Sequence, residues 1–250
     1  GLMCVASDAG LLRTDGERVE VMLPTEQDRI VALAAATRGV IAMTTSGILL
    51  RCDRGRCDTL MHIPALGDGL VRSMVSDAGG TIWIATYGKG LARVGGGKIS
   101  YMNAAGGLPD DHVNDLALLP DGRVVVATDQ GLAICKGDRV ERILGDAQGA
   151  PDNLTLSVDV ADDGSVWAGT DRNGVFQWRH DHDTASVVLL NTEWHFGPVH
   201  SVRVVGGMVW AGTEAVGPIA IDRDLIFGAS CSQEDAALPV RDLLLDRDGA

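Results

Sequence analysis

One short string recurs six times along this chain: an apolar run closing on a small residue and then Ser or Thr, with glycine soon after. The copies are LMCVASDAGL (2–11), VIAMTTSGI (40–48), TIWIATYGKGL (81–91), VVVATDQGL (124–132), VWAGTDRNGV (166–175) and VWAGTEAVGP (209–218). From Ser7 through Thr44, Thr86, Thr128, Thr170 and Thr213 the steps are 37, 42, 42, 42 and 43 residues. A near-constant period of this length means one supersecondary unit used repeatedly.

Residues 71–102 serve as the type unit. VRSMVS reads as a strand, DAGG as a tight turn and TIWIAT as a second strand; YGKG turns into the strand GLARV, and GGG into the strand KISYM. The first turn returns as Asp121-Gly122, Asp163-Gly164, Gly206-Gly207 and Asp248-Gly249, dipeptides that tolerate the positive φ of a two-residue hairpin. The second turn keeps a glycine at Gly10, Gly47, Gly90, Gly131, Gly174 and Gly217. Four short antiparallel strands per repeat predict an all-β fold, a β-propeller of four-stranded blades. A solenoid would use shorter coils without internal hairpins.

Trp83, Trp167 and Trp210 stand three residues before the Thr of their copies, where the other copies hold Cys4, Ile41 and Val125. A position that accepts Trp, Ile, Val or Cys predicts packing between adjacent blades rather than an aromatic ligand cage. The stretch after Thr213, joined to the first seven residues, is 44 residues long, close to one repeat. Segment 240–249 (VRDLLLDRDG) therefore reads as the innermost strand of the blade whose other strands fill residues 1–23. Sealing a ring in this way removes exposed sheet edges. The expected blades are 240–250 with 1–23, then 30–66, 71–106, 113–148, 156–192 and 199–236, forming one domain over residues 1–250. Six blades are expected, with an incomplete seven-bladed ring as the alternative.

The bulk numbers narrow the partners. A net charge of −13 over 250 residues disfavours nucleic acid and anionic membrane surfaces. The longest apolar stretch, 30–43, is broken by Arg38-Gly39 and reads as two strands of a hairpin, not a membrane span. Nothing resembling a secretory leader precedes Gly1, and the chain stops inside a turn signal, so it reads as a piece of a longer protein.

Gly107-Leu108-Pro109-Asp110-Asp111-His112-Val113, then Asp121-Gly122 and Ala127-Thr128…Gly131-Leu132, resembles the two-component regulator propeller repeat. DAGGTIWIATYGKGLARV (77–94) matches that pattern more closely still. The resemblance covers essentially the whole chain, best at 71–135 and least at 30–60. It implies the periplasmic, extracytoplasmic sensor part of a bacterial inner-membrane signalling protein. A histidine kinase or diguanylate cyclase output would lie on the same full-length chain, and a homodimer is an expected assembly. The family usually builds seven-bladed rings.

Propeller loops that join one blade to the next carry ligands at the channel mouth. Here they contain Leu23-Pro24, Leu66-Gly67, Leu108-Pro109, Ala150-Pro151, Gly197-Pro198 and Leu238-Pro239, in which proline stiffens a chain reversal. The second residue of each inner strand is Val31, Arg72, Asn114, Leu156, His200 or Arg241. Arg72, Asn114, His200 and Arg241 are the candidate ligand-binding residues, suited to an anionic ligand or a glycan. The plainer alternative is that these groups hydrate the channel or satisfy backbone carbonyls.

His180-Asp181-His182-Asp183 is the most metal-like string, yet it falls at a hairpin and reads as a solvated turn; no metal and no cofactor are expected. His62, His112 and His195 show no ligand spacing among themselves. Cys52 and Cys57 flank the turn Asp53-Arg54-Gly55-Arg56 and could form a disulfide if they are a non-hydrogen-bonded pair in an oxidising compartment. Cys4, Cys135 and Cys231 read as small core residues.

No nucleophile–base pair or phosphate cradle stands out, so a non-enzymatic sensor is the leading expectation. The alternatives are a propeller lyase resembling the streptogramin lyases and a protein-interaction platform. The lyase reading needs a His with an acidic partner and a divalent ion; His200 is the candidate, with no acidic partner evident in the sequence.

Overall fold

A computed structural model describes residues 3–7, 10–25, 28–67, 70–150, 152–179, 185–189, 196–221 and 226–228. Among them every extended element is a short β-strand, and the helical content is three single 3₁₀ turns. The chain divides into two compact units, residues 1–101 and 102–250.

The first unit holds three antiparallel meanders. Strands β1 (Met3–Ser7), β2 (Gly10–Thr14) and β3 (Val19–Pro24) form a three-stranded sheet. Four-stranded sheets follow, from β4 (Ile30–Ala35), β5 (Val40–Thr44), β6 (Ile48–Asp53) and β7 (Arg56–His62), then from β8 (Val71–Ser76), β9 (Ile82–Thr86), β10 (Gly90–Gly95) and β11 (Lys98–Met102). Leu23-Pro24, expected in a connecting loop, instead closes strand β3, where Pro24 pairs with Gly10. Segment 240–249, expected to complete the first sheet, lies outside the described residues.

The second unit repeats the same meander three times. Its sheets are β12 (Val113–Leu118), β13 (Val124–Thr128), β14 (Gly131–Lys136) and β15 (Arg139–Leu144); β16 (Thr155–Val160), β17 (Val166–Thr170), β18 (Val175–Trp178) and β19 (Ala185–Leu189); and β20 (Val199–Val205), β21 (Met208–Thr213), β22 (Gly217–Ile221) and β23 (Ile226–Gly228).

The recurring Thr and Gly have one local cause. The hydroxyls of Thr86, Thr128, Thr170 and Thr213 donate to the carbonyls of Gly90, Gly131, Gly174 and Gly217 at 2.6, 2.7, 3.0 and 2.7 Å. Each bond closes the turn between the second and third strands and satisfies a buried hydroxyl. Glycine is needed because the backbone there takes positive φ (113° at Gly131), and at Gly131 a fourth-strand carbonyl presses on it as well. A Cβ at Gly131 would lie 2.6 Å from the carbonyl oxygen of Leu144.

The second strands β5, β9, β13 and β17 are buried along their whole length, so they carry the apolar runs of the repeat, whereas β21 is buried only in part. The position before the Thr that holds Trp, Ile, Val or Cys packs as expected where its surroundings are described. Ile41 belongs to a core shared by the sheets β4–β7 and β8–β11. Val125 sits between β12–β15 and β16–β19, and Trp167 between β16–β19 and β20–β23. Trp83 is buried, with the Arg93 guanidinium 5.4 Å from its ring centroid. Trp210 is only half-buried.

Cys52 and Cys57 face each other across the β6–β7 hairpin and are joined by a disulfide. The hairpin turn has positive φ at both Arg54 (49°) and Gly55 (81°), the two-residue geometry that brings the next pair but one into close, non-hydrogen-bonded register. Cys135 is fully buried, as read, whereas Cys4 is half-buried beside Met22; Cys231 lies outside the described residues.

Candidate functional site at the first-strand bulges

The first strand of every four-stranded sheet opens with the same irregularity. Register slips by one residue between Ile30 and Ala32, Val71 and Ser73, Val113 and Asp115, Thr155 and Ser157, and Val199 and Ser201. The skipped residues are Val31, Arg72, Asn114, Leu156 and His200. A bulge bends the strand and re-aims the extra side chain, so the second position of each inner strand is set apart by backbone geometry.

A second constant contact stands beside each bulge. The residue after the repeat Thr donates its N–H to the carbonyl just before the first strand. Thr45 bonds Arg29, Tyr87 bonds Leu70, Asp129 bonds His112, Asp171 bonds Leu154 and Glu214 bonds Pro198, at 2.8–3.2 Å. The bulge residue and the residue after the Thr are thereby brought to the same end of each sheet.

Three of these pairs are polar. In the first unit the exposed Arg72 places its guanidinium carbon 4.8 Å from the ring centroid of Tyr87. In the second unit the Asn114 amide donates to Asp129 Oδ1 at 2.8 Å and also to the Thr155 carbonyl of the neighbouring sheet at 2.9 Å. On the last sheet His200 Nε2 lies 2.9 Å from Glu214 Oε2. Val31 and Leu156 are the apolar residues at the corresponding bulge positions. Arg241 and the string His180-Asp181-His182-Asp183 lie outside the described residues.

Asn114 uses its amide N–H bonds to join neighbouring sheets, as in the backbone-satisfying alternative. His200 does have an acidic partner, Glu214, invisible in the sequence because the two are 14 residues apart and meet only across the β20–β21 pair.

A further group was missed altogether. Asp110, His112 and Asp129 bring a carboxylate, an imidazole and a second carboxylate within 4.8 Å of one another. Asp110 Oδ1 lies 2.7 Å from His112 Nδ1 and accepts the His112 backbone N–H at 2.7 Å. Burial alone would raise the Asp110 carboxyl, but the hydrogen bonds from His112 and its nearby ring outweigh it and hold the carboxyl below its ordinary range. Spacing among histidines does not reveal it, since its partners are carboxylates and one arrives from the next strand.

No family model matches this sequence, and no curated protein matches it. Solved structures do share its fold. The extracellular domain of the hybrid two-component system BT4673 from B. thetaiotaomicron superposes with a TM-score of 0.76 at 19% identity over 100% of this chain and 34% of that one. That of BT3049 from the same organism gives 0.67 at 15% identity, over 90% of this chain and 32% of that one. The chain thus spans about a third of the length of these extracellular domains. A streptogramin B lyase gives 0.76 at 14% identity over 96% of this chain and 81% of that one. These identities establish a common fold, that of propeller-type repeats, among signalling and enzyme proteins alike.

Proposed function

We propose that this chain is a non-enzymatic, extracytoplasmic sensor propeller that binds a small polar ligand, an organic anion or a glycan, at the bulged ends of its first strands. In this reading six blades close into one domain, and ligand binding biases a kinase or cyclase output elsewhere on the full-length protein, which is anchored in the inner membrane and works as a dimer. The observation that carries it is the repeated bulge, which delivers Arg72 and His200 to corresponding places beside Tyr87 and Glu214. Guanidinium, imidazole and phenol are the groups that recognise carboxylates and hydroxyls. The fold shared with two extracellular domains of two-component systems supports the sensing context. Among the described residues no helix is long and apolar enough to cross a membrane.

A thermal-shift screen of glycans and organic anions tests it. A compound that raises the melting temperature of the native protein, and does so much less after Arg72→Ala or His200→Ala, supports the site. A hit indifferent to both substitutions places binding elsewhere.

The His200–Glu214 pair favours a second reading, a lyase like the streptogramin B lyase that shares the fold. Incubation with a streptogramin B antibiotic and a divalent ion distinguishes the two: ring opening that disappears in His200→Ala would replace the sensor with an enzyme.

A further inference from the structure

We propose that Asp110, His112 and Asp129 form a binding site for a divalent transition-metal ion. This does not depend on the sensor reading. The ligating atoms all lie within 4.8 Å of one another, and Asp110 Oδ1 is 2.7 Å from His112 Nδ1. Metal bonds of about 2.0–2.2 Å set donor atoms roughly 3 Å apart, so small side-chain rotations bring the three onto one ion.

The neighbouring sheet acts as an internal control. Asp152 and Asp171 occupy the positions of Asp110 and Asp129 there, but Leu154 replaces His112. Both of those carboxylates are engaged by Arg172: its backbone N–H donates to Asp152 Oδ2 at 3.1 Å, and its side chain reaches Asp171 Oδ2 at 3.3 Å. In the sheet β12–β15, Gln130 stands where Arg172 would be, its own N–H goes to Thr128 Oγ1, and the two hydrogen bonds from His112 to Asp110 both fall on Oδ1. One sheet thus uses its paired carboxylates to hold an arginine, and the next turns the same positions towards an imidazole.

The backbone holds the donors ready. Asp110 caps the turn into β12, the Asp129 N–H is fixed on the His112 carbonyl, and Asn114 steadies Asp129 from behind. One nitrogen and two carboxylate donors suit ions from Mn²⁺ to Zn²⁺ better than Ca²⁺ or Mg²⁺, which prefer oxygen alone. The ion would take the place of the proton between His112 Nδ1 and Asp110 Oδ1; from a neutral imidazole that proton passes to Nε2, and from an imidazolium it is released to solvent. Bound there, it would tie the loop before β12 to the end of β13.

Isothermal titration of metal-stripped native protein with Zn²⁺ and Mn²⁺ tests the site, with Ca²⁺ and Mg²⁺ for comparison. The expected result is a saturable site absent from Asp129→Asn, with affinity lowered tenfold or more in His112→Gln, while Asp171→Asn leaves it unchanged. Circular dichroism establishes that each variant is folded. Absence of saturable Zn²⁺ or Mn²⁺ binding to the native protein overturns the proposal whatever the variants do. So does binding that persists unchanged in both Asp129→Asn and His112→Gln.

Discussion

The two units join neighbouring sheets by different physics. In residues 1–101 the seam between β4–β7 and β8–β11 is apolar: Ala32, Ala34, Ile41 and Met43 meet Val71, Met74, Ile82 and Ile84. In residues 102–250 side chains also reach across to the backbone edge of the next first strand. Asn114 donates to the Thr155 carbonyl and Ser157 Oγ to the Val199 carbonyl, at 2.9 and 3.1 Å. Asp115 Oδ2 accepts from the Val158 N–H at 3.0 Å, and Asp159 Oδ2 from the Val204 N–H at 2.7 Å. The first strand is a sheet edge, so its outward N–H and C=O groups need partners once buried. A non-directional apolar seam tolerates varied geometry, whereas polar stitches fix the offset between sheets and oblige each partner to be present.

Breaking the apolar seam gives the largest expected effect. Ile41→Ala should cost about 2–5 kcal/mol in chemical denaturation, because it removes buried methyl groups and leaves a cavity. Removing the disulfide with Cys52→Ala and Cys57→Ala together should cost about 2 kcal/mol, as expected for a short closed loop. Next comes a polar stitch: Asp115→Ala strands the Val158 N–H and should cost about 1–3 kcal/mol, with that amide exchanging faster by hydrogen exchange. If Asp115→Ala proves harmless while Ile41→Ala does not, the polar seam contributes only specificity.

The pH dependence of the two regions should run in opposite directions. Burial raises the Asp159 carboxyl, only partly offset by the Val204 and Val160 N–H groups and by Arg203. Its contribution is fully present below its unfolded value and falls as pH rises through the raised folded value. Asp28, in the first unit, is raised by burial but lowered more by hydrogen bonds from Ser46 and its neighbours, and its net shift is downward. Its contribution is present above the ordinary carboxylate value and is lost as pH falls through the depressed one. The stability gap between native protein and Asp159→Ala should therefore narrow as pH rises, and that for Asp28→Ala should shrink in acid. The smallest effect is chemical: burial, with Glu141 adding to it, pushes the Cys135 thiol up to about 12, so it should resist thiol reagents until the chain unfolds.

Much of this architecture was legible in the residues themselves. The sequence KISYM predicts a strand over 98–102 and forms one, and the glycine after each Thr marks a turn that only positive φ can make. Counting along the repeat marks the second position of each inner strand, but only the register of the sheets shows the bulge that makes it special. His200 with Glu214, and His112 with Asp110 and Asp129, were out of reach because their partners arrive from an adjacent strand at a spacing the loop length sets.

Periodicity by itself determined the sheets, their strand order and their turns, since hairpin chemistry and alternating burial act over neighbouring residues. Tertiary structure alone decided which carboxylates serve as stitches, which hold an arginine and which surround an imidazole. The same Asp at the same station of two repeats does different work when one neighbour changes from His112 to Leu154, because hydrogen bonds and charges depend on distances that a repeat does not encode.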